Sequence, residues 1–311
     1  MEMDPRAKEP GWFRTAYALN SLCSVKTGGT AHYFAEANSL EELLQAIRFT
    51  KDRSLPFYLL GNGTNVLISD DTFKGTVLKL GTGFCAITVD RNRNSVTAGA
   101  GASLIKLGNR LAEQGYTGYA YMGVIPGTVG GAVAMNAGIS DSEKTETHFS
   151  SAAVLDPETL RIETYTSEKM NFRYRESALK RSGKIILDAT FHLRSAEPLS
   201  KEEARKRLKQ LCATRRNRQP QDRRTFGSTF KNPPGSAYSA GGLLEKCGMK
   251  GMTRGGARIS PDHANWIINT GSATSTDIRH LIETGQKRVL DRFGIRLERE
   301  VVFLPEDLTL C

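Results

Sequence analysis

A hydroxyl, an ammonium and a carboxamide lie close together in the octapeptide Phe226-Gly-Ser-Thr-Phe-Lys-Asn-Pro233. Gly227 lets the backbone take conformations that other residues avoid, and the proline pair that follows stops regular structure. Ser228 is therefore predicted to lie on a tight, exposed bend, as a hydroxyl that contacts a ligand would. A polar turn without any chemistry is the alternative interpretation.

Two glycine-rich stretches could hold a ligand. Gly61-Asn-Gly-Thr-Asn65 lies between two short apolar runs, and such a loop exposes backbone N–H groups that suit an anion. A structural hairpin loop fits it equally well, because the stretch is neither a G-x-G-x-x-G nor a Walker A motif. The stretch 123–138 is rich in small residues, and each glycine in a helix costs about 1 kcal/mol against alanine. Close approach to a ligand is favoured there, with a packing turn as the alternative.

Composition limits the class of protein. With 311 residues the chain is expected to form two or more domains, and its 43 basic and 33 acidic residues give a net charge of +10, which favours acidic partners. The five cysteines form no C-x-x-C pair and the five histidines are scattered, so neither a disulfide framework nor a metal site is expected. No apolar run approaches a membrane span, and the N-terminus lacks a signal peptide's apolar core. We therefore expect a cytoplasmic protein.

Hydrophobic periodicity predicts alternating helices and strands. A capping-box pattern at residues 39–42 begins the first helix, and the last strand is expected to alternate, with Glu300 facing away from the apolar side. The predicted helices are 39–47, 103–114, 201–218, 240–248 and 277–292, and the predicted strands are 57–60, 66–68, 77–80, 87–89, 96–98, 152–156, 161–165, 185–193 and 295–303.

Six motifs in a fixed order give the chain a resemblance to the UDP-N-acetylenolpyruvoylglucosamine reductases, flavoenzymes of peptidoglycan precursor synthesis. The resemblance runs from about Leu22 to Phe303; each motif alone is weak, whereas the ordered set is specific. The motifs are Gly61-Asn-Gly-Thr-Asn-Val-Leu67, Ile125-Pro-Gly-Thr-Val-Gly-Gly-Ala132 together with Met135-Asn-Ala-Gly138, Tyr174-Arg-Glu-Ser177, Gly227-Ser-Thr-Phe-Lys-Asn-Pro233, His263-Ala-Asn265 and Leu297-Glu-Arg-Glu-Val301.

The resemblance implies an α+β fold in three parts. These are a two-lobed FAD-binding region of the p-cresol methylhydroxylase type, at 1–75 and 76–198, and a C-terminal α+β substrate-binding domain at 199–311. It also implies a reaction in which NADPH reduces non-covalently bound FAD, and reduced FAD converts the enolpyruvyl ether of a UDP-sugar to a lactyl ether, giving UDP-N-acetylmuramate. The chain is too short for a tyrosine-bearing loop insert, which indicates the shorter subgroup. A monomer is expected, with a weak dimer as the alternative.

Three residues match the family's catalytic set. Hydride addition to an α,β-unsaturated carboxylate builds negative charge on that carboxylate, which needs preorganised donors. Arg175 matches the catalytic arginine and Glu300 the catalytic glutamate, which in its protonated form could donate a hydrogen bond to the enolate. Ser228 matches the residue that then protonates the α-carbon.

Two of these assignments have close competitors in the sequence. Arg173 lies two residues before Arg175, and the alternative for Arg175 is a surface ion pair with Glu176 or Asp188. Glu298 lies two residues before Glu300, and the alternative for Glu300 is a solvated strand residue. The order of residues within each motif favours Arg175 and Glu300.

The resemblance also implies the binding residues. For the UDP-sugar the expected contacts are Lys231, Asn232, Arg218, Tyr174 and His263. For FAD they are Gly61, Asn62, Gly63, Thr64, Asn65, Gly127, Thr128, Gly130, Gly131, Asn136 and Gly138.

Two other functions fit parts of the sequence. A nucleic-acid-binding protein could use the basic segment 201–224, but that segment has no aromatic residues on which bases could stack. A basic funnel for FAD, NADPH and a UDP-sugar explains its charge equally well. Another flavin oxidase would keep both glycine loops without needing Ser228, Arg175 and Glu300. Neither nucleic acid nor a membrane is expected as a partner.

Overall fold

The fold is given by a computed structural model that describes residues 10–193, 200–220 and 222–307. Within them the helices are α1 (Leu40–Asp52), α2 (Leu104–Glu113), α3 (Val129–Ala134), α4 (Thr145–His148), α5 (Ser167–Met170), α6 (Lys201–Arg218), α7 (Ala240–Lys246) and α8 (Ser275–Phe293). The strands are β1 (Arg14–Ala18), β2 (Thr30–Ala37), β3 (Phe57–Leu59), β4 (Val66–Ile68), β5 (Phe73–Leu80), β6 (Ile87–Asp90), β7 (Ser95–Gly99), β8 (Phe149–Leu155), β9 (Ile162–Thr166), β10 (Ile185–His192), β11 (Thr253–Arg254), β12 (Ala257–Ile259), β13 (Ile267–Asn269) and β14 (Val302–Leu304).

The strands form three sheets and one short pair. The first sheet has the order β1-β2-β5-β3, with β2, β5 and β3 parallel. The second is antiparallel, in the order β6-β7-β10-β8-β9, and the third is β11-β12-β13. Near the end of the described chain, β14 pairs in parallel with β4, so the C-terminal segment returns to the first part of the protein.

Serine and threonine side chains cap the N-termini of several helices. The side chain of Ser39 accepts from the N–H of Glu42 at the start of α1, and Ser103 caps α2 in the same way. Ser200 and Thr274 form full capping boxes at α6 and α8. A cap of this kind contributes about 1 kcal/mol to helix stability. The predicted helices over these regions are confirmed to within a few residues.

The hydrophobic cores cross the predicted domain edges. One core joins Val25 and Leu67 of the first part to Phe230 and Phe303 of the last part. Helix α6 buries Leu211 in the core of the second sheet, although the sequence assigned this helix to the C-terminal domain. The predicted edge at 75/76 falls inside β5, and the edge at 198/199 lies outside the described residues. The three-part division stays a prediction, and these contacts argue for moving its edges.

The predicted strand over 295–303 is wrong in extent. Regular pairing is confined to β14, and the preceding residues make only one isolated bridge, between Phe230 and Arg299. The predicted alternation nevertheless holds, because Leu297, Val301 and Phe303 are buried. An extended backbone can alternate its side chains without a partner strand along its whole length.

Gly63 is predicted to be sensitive to substitution. Its φ is +61°, and a Cβ there would lie 2.1 Å from the carbonyl oxygen of Leu22. Gly248 has a similar φ of +69° with open space around its Cβ direction, so it is a matched control. Gly248→Ala should cost about 1–2 kcal/mol of unfolding free energy for the left-handed conformation alone. Gly63→Ala should cost ~1–3 kcal/mol more. Equal midpoints in urea-induced unfolding would contradict this account.

Candidate active site

A cleft of about 1150 Å³ lies between the first two sheets and the C-terminal segment. Both glycine stretches, the turn that carries Arg175 and the start of the octapeptide contribute to its walls. Among the predicted cofactor residues, those that line the cleft are Gly61, Asn62, Gly63, Thr64, Asn65, Gly127, Thr128, Gly130, Gly131 and Gly138.

The two glycine loops approach each other across the cleft. Thr64 Oγ1 donates to the carbonyl oxygen of Pro126 at 3.2 Å, and a Cβ at Gly61 would lie 2.8 Å from Thr128 Oγ1. The strands on either side of the first loop, β3 and β4, belong to different sheets. The alternative of a structural hairpin loop is therefore wrong, and glycine is needed at position 61 for the contact between the loops.

Backbone donors of the first loop are available to a ligand. The N–H groups of Asn62, Gly63 and Thr64 have no acceptor among the described residues. On the second loop, Thr128 Oγ1 accepts from the N–H of Gly131 and begins α3. Free N–H groups in a concave loop favour an anion. The residues present thus fit a large phosphate-bearing cofactor such as FAD.

Arg175 is held in a tight turn in which Arg173 and Glu176 exchange backbone hydrogen bonds of 3.0 and 3.1 Å. Its φ is +58°, in the left-handed region that costs a non-glycine residue about 1–2 kcal/mol. The guanidinium donates from Nε to Glu300 Oε1 at 2.9 Å and from Nη2 to the carbonyl oxygen of Gly138 at 2.9 Å. These bonds fix the guanidinium on the wall of the cleft.

The predicted catalytic residues are more buried than the neighbouring residues of the same type. Arg175 and Glu300 have side chains only 21% and 16% exposed and pair with each other, whereas Arg173 is exposed and Glu298 is 75% exposed. Glu176 pairs with two lysines instead of with Arg175. The alternatives of a surface ion pair for Arg175 and a solvated residue for Glu300 do not describe this structure.

Glu300 is fixed through its backbone as well as its side chain. Its N–H donates to the carbonyl oxygen of Thr229 at 2.9 Å, and its own carbonyl accepts from Asn65 Nδ2 at 3.1 Å. Burial raises the pKa of Glu300 above its ordinary value, although the charges of Arg175 and Lys180 oppose the shift. The protonated form is therefore easier to reach than for a solvated glutamate.

Ser228 lines the same cleft as Arg175 and Glu300. It follows Gly227, whose φ is +83°, and forms an isolated bridge with Trp266. The segment after it is clamped by Asn265, which accepts from the N–H of Phe230 at 3.0 Å and donates to its carbonyl at 2.9 Å. The structure thus brings the three predicted catalytic residues into one cleft, and their chemical roles stay a prediction.

Several predicted binding residues form hydrogen bonds or ion pairs with other parts of the protein. Asn136 is buried, and its amide donates to Glu146 and to the carbonyl of Arg173, each at 3.0 Å, so it supports the Arg175 turn instead of lining the cleft. Asn232 Oδ1 accepts from the N–H of Ala240 at the start of α7. Lys231 Nζ contacts two carboxylates.

Two other predicted contacts, Tyr174 and His263, do not line the cleft. Tyr174 is 49% exposed on the surface. His263 accepts a hydrogen bond from the N–H of Asn265, and burial lowers its pKa, aided by the charge of Lys250. The side chain of Arg218 lies outside the described residues. Their roles in binding the UDP-sugar stay predictions.

Sequence reasoning missed Lys180 and Ser24. The side chain of Lys180 is only 6% exposed, and it lines the cleft beside Glu300. Ser24 Oγ donates to the carbonyl of Thr225 at 2.6 Å, and its N–H donates to the carbonyl of Gly63 at 2.9 Å, which joins the first loop to the octapeptide segment. Lys180 lies four residues after Glu176, but the segment between them is not helical, so spacing did not predict the contact. The contacts of Ser24 join segments far apart in the chain, which the sequence pattern does not predict.

Residues 10–193, 200–220 and 222–307 contain no cluster of three metal-ligating side chains. In the same part of the chain, no helix combines the length and the apolar character that crossing a bilayer requires.

Two family models match the chain. Residues 219–304 match the C-terminal domain of UDP-N-acetylenolpyruvoylglucosamine reductase, and residues 31–161 match an FAD binding domain. Together with the mixed helix and strand content, these matches confirm the predicted α+β fold, with an FAD-binding region followed by a distinct C-terminal part.

Named relatives match over most of the chain. It is 39% identical to the UDP-N-acetylenolpyruvoylglucosamine reductase of Caldanaerobacter subterraneus subsp. tengcongensis, over 91% of this chain and 90% of that one. The enzyme of Chlamydia abortus is 37% identical over 95% of each chain. The crystal structure of the reductase from Thermus caldophilus is similar with a TM-score of 0.77 and 31% identity, covering 93% of this chain and 97% of that one.

The raised pKa of Glu300 predicts a pH-dependent stability difference. A carboxyl whose pKa is raised by folding stabilises the folded state below its unfolded pKa, and this contribution is lost as pH rises through the folded pKa. Wild-type protein should therefore lose stability relative to Glu300→Gln as pH rises from below the ordinary pKa of 4.5 towards neutrality. Urea unfolding across this range measures the difference. Glu298→Gln is the exposed control, and parallel curves for Glu300→Gln and wild type would contradict the assignment.

Proposed function

The chain belongs to the UDP-N-acetylenolpyruvoylglucosamine reductase family, and we propose that its cleft reduces the enolpyruvyl ether of UDP-N-acetylenolpyruvoylglucosamine to the lactyl ether of UDP-N-acetylmuramate. It is an FAD-dependent oxidoreductase of peptidoglycan precursor synthesis. The observation that carries the assignment is the Arg175–Glu300 pair in one cleft with Ser228, beside a first glycine loop whose N–H groups at residues 62–64 have no acceptor among the described residues. NADPH is proposed as the source of the electrons.

FAD, when bound in the cleft, would supply the two-electron chemistry that links the nicotinamide to the enolpyruvyl substrate. The residues proposed to hold it are the first loop, Gly61–Asn65, and the second, Gly127–Gly131. The first loop is proposed to offer its N–H groups to the pyrophosphate, and the glycines of both loops leave room for the approach of the cofactor. Neither histidine nor cysteine occurs in the first loop, which agrees with a non-covalently bound cofactor.

Arg175 is proposed to bind the substrate carboxylate. Its planar guanidinium can donate two parallel hydrogen bonds to a carboxylate, and it is already oriented by Gly138 and Glu300. Negative charge grows on this carboxylate as the hydride arrives. A preorganised donor at such a site is worth about 2.7–4 kcal/mol of transition-state stabilisation.

Glu300 is proposed to donate a hydrogen bond to the developing enolate. Burial, which raises its pKa, supports this role because only the protonated carboxyl can donate. Ser228 is proposed to protonate the α-carbon afterwards and to recover its proton from water. A free serine is a weak acid, so the hypothesis requires a strongly basic enolate next to its hydroxyl.

The charge of the cleft supports polyanionic ligands. Cationic side chains on its walls come from separate segments, among them Lys79, Lys184, Arg215 and Arg223. Such a surface raises the local concentration of NADPH and a UDP-sugar. We propose that these are the partners of the protein, that it acts in the cytoplasm, and that it is a monomer. Bleaching of the yellow holoenzyme by NADPH, then recolouring by the enolpyruvyl UDP-sugar alone, tests the function directly.

Ser228→Ala should separate the two half-reactions. Flavin reduction by NADPH should keep its rate, because Ser228 takes no part in it. Reoxidation by the enolpyruvyl UDP-sugar should slow by about 10²–10⁴, the usual contribution of general acid catalysis. Stopped-flow absorbance of the flavin measures both steps, with Ser236→Ala on the neighbouring loop as control. Equal losses in the two half-reactions would rule out the proton-donor role.

Arg175→Lys should be far more damaging than Arg173→Lys. Lysine keeps the charge but loses the paired donors, so reoxidation should slow by about 10²–10³, as for loss of one preorganised donor. Arg173 is exposed, and its replacement should leave the rate within about twofold, as surface substitutions usually do. If both variants slowed equally, the turn as a whole and not the Arg175 guanidinium would be responsible.

A further inference from the structure

A second cavity of about 370 Å³ adjoins the cleft and is lined almost entirely by charged side chains. Lys180 and Glu300 border both spaces. At its centre Glu176 Oε1 accepts from Lys180 Nζ at 2.9 Å and from Lys231 Nζ at 2.8 Å. We call Lys180, Glu176 and Lys231 the ion-pair chain.

The ion-pair chain joins two distant parts of the sequence. Glu176 and Lys180 lie one and five residues after Arg175, whereas Lys231 lies in the octapeptide, three residues after Ser228. The backbone N–H of Lys231 also donates to the carbonyl of Glu298 at 2.9 Å. The ion-pair chain therefore links the segment after Arg175 to the octapeptide, in addition to the link that the Arg175–Glu300 pair provides.

Lys180 supports the conformation of the Arg175 turn. Besides Glu176, its Nζ donates to the carbonyl oxygen of Arg175 at 3.1 Å. Arg175 has the strained φ of +58°, and such a conformation persists only when surrounding contacts hold it. The side chain of Lys180 is only 6% exposed, so its bonds are shielded from water. A shielded cation bonded to a backbone carbonyl holds that carbonyl firmly.

Lys231 is poorly placed to bind a phosphate. Its side chain is 13% exposed and has Glu176 and Glu298 carboxylates at 2.8 and 3.4 Å. A diphosphate would have to displace Glu176, which would leave Lys180 without its carboxylate. Breaking a largely buried pair in this way is expensive, because it leaves a charge uncompensated.

We propose that Lys180, Glu176 and Lys231 are positioning residues that fix the Arg175 turn relative to Ser228, and that Lys231 is not a ligand of the UDP diphosphate. The inference rests on the proposed roles of Arg175 and Ser228 and replaces the sequence-based expectation for Lys231. In this arrangement Glu176 is the central member, because both lysines donate to the same oxygen.

The test compares Lys231→Met, Glu176→Gln and the double variant in three measurements. Each single change should slow reoxidation of the reduced holoenzyme by the enolpyruvyl UDP-sugar by about tenfold to a hundredfold, the effect of a small misplacement. The double variant should be no slower than the worse single variant, since each single change already breaks the Glu176–Lys231 ion pair. The Kd for UDP should stay at the wild-type value in all of them, and Lys231→Arg should keep most of the rate.

Matched controls come from Lys51 and Glu158, an ion pair of 2.9 Å whose side chains are 33% and 60% exposed and lie outside the cleft. Lys51→Met and Glu158→Gln should leave reoxidation and the Kd for UDP unchanged. A rise of about tenfold in the Kd for UDP in Lys231→Met but not in Glu176→Gln, a loss of about 1.4 kcal/mol in binding, would overturn the proposal in favour of a diphosphate contact. Multiplicative loss of rate in the double variant would overturn it as well.

The melting temperature keeps the proposal testable if the proposed function is wrong. If the enolpyruvyl UDP-sugar fails to reoxidise wild-type enzyme, the function fails while the ion-pair chain can still be measured. The lowering of Tm in the double variant should then be clearly smaller than the sum of the two single effects. Additive lowering of Tm would refute the ion-pair chain by itself.

Discussion

The ion pair between Arg175 and Glu300 is the contact on which the site depends. It joins residues 125 positions apart, and both side chains are largely buried. A buried pair of this kind adds little net stability, because desolvation of the two charges offsets their attraction. Arg175 in addition occupies a left-handed conformation that costs free energy. Unfavourable terms of this kind are typical of a site in which geometry is maintained for chemistry.

Asparagine side chains hold the backbone around that pair. Asn65 donates to the carbonyl of Glu300, Asn136 to the carbonyl of Arg173, and Asn265 bonds both backbone groups of Phe230. Each of these residues lies in a motif that the sequence linked to ligand binding. Their amides instead connect loops to each other, so part of each motif serves the precision of the site and not contact with a ligand.

The path of the chain explains how residue 300 reaches the first glycine loop. Strand β14 returns to pair with β4, which follows that loop directly. The backbone carbonyl of Asn65 accepts a hydrogen bond from the N–H of Val302 at 3.1 Å. The same return places hydrophobic residues of both ends in one core. The first glycine loop and the segment that carries Glu300 are therefore held together by backbone pairing and by a shared core.

The sequence by itself determined the five longer helices, most of the described strands, the glycine loops and the three candidate catalytic residues, but it missed the short helices α3, α4 and α5. Those features depend on local chemistry, such as capping side chains, alternation and the order of residues within motifs. Only the tertiary structure decided that Arg175 and Glu300 are shielded while Arg173 and Glu298 face solvent. Likewise, only the tertiary structure showed that Lys231 forms an ion pair with Glu176 and that Asn136 is buried. The physical reason is that burial and pairing arise from contacts between residues far apart in the chain, which periodicity and spacing do not encode.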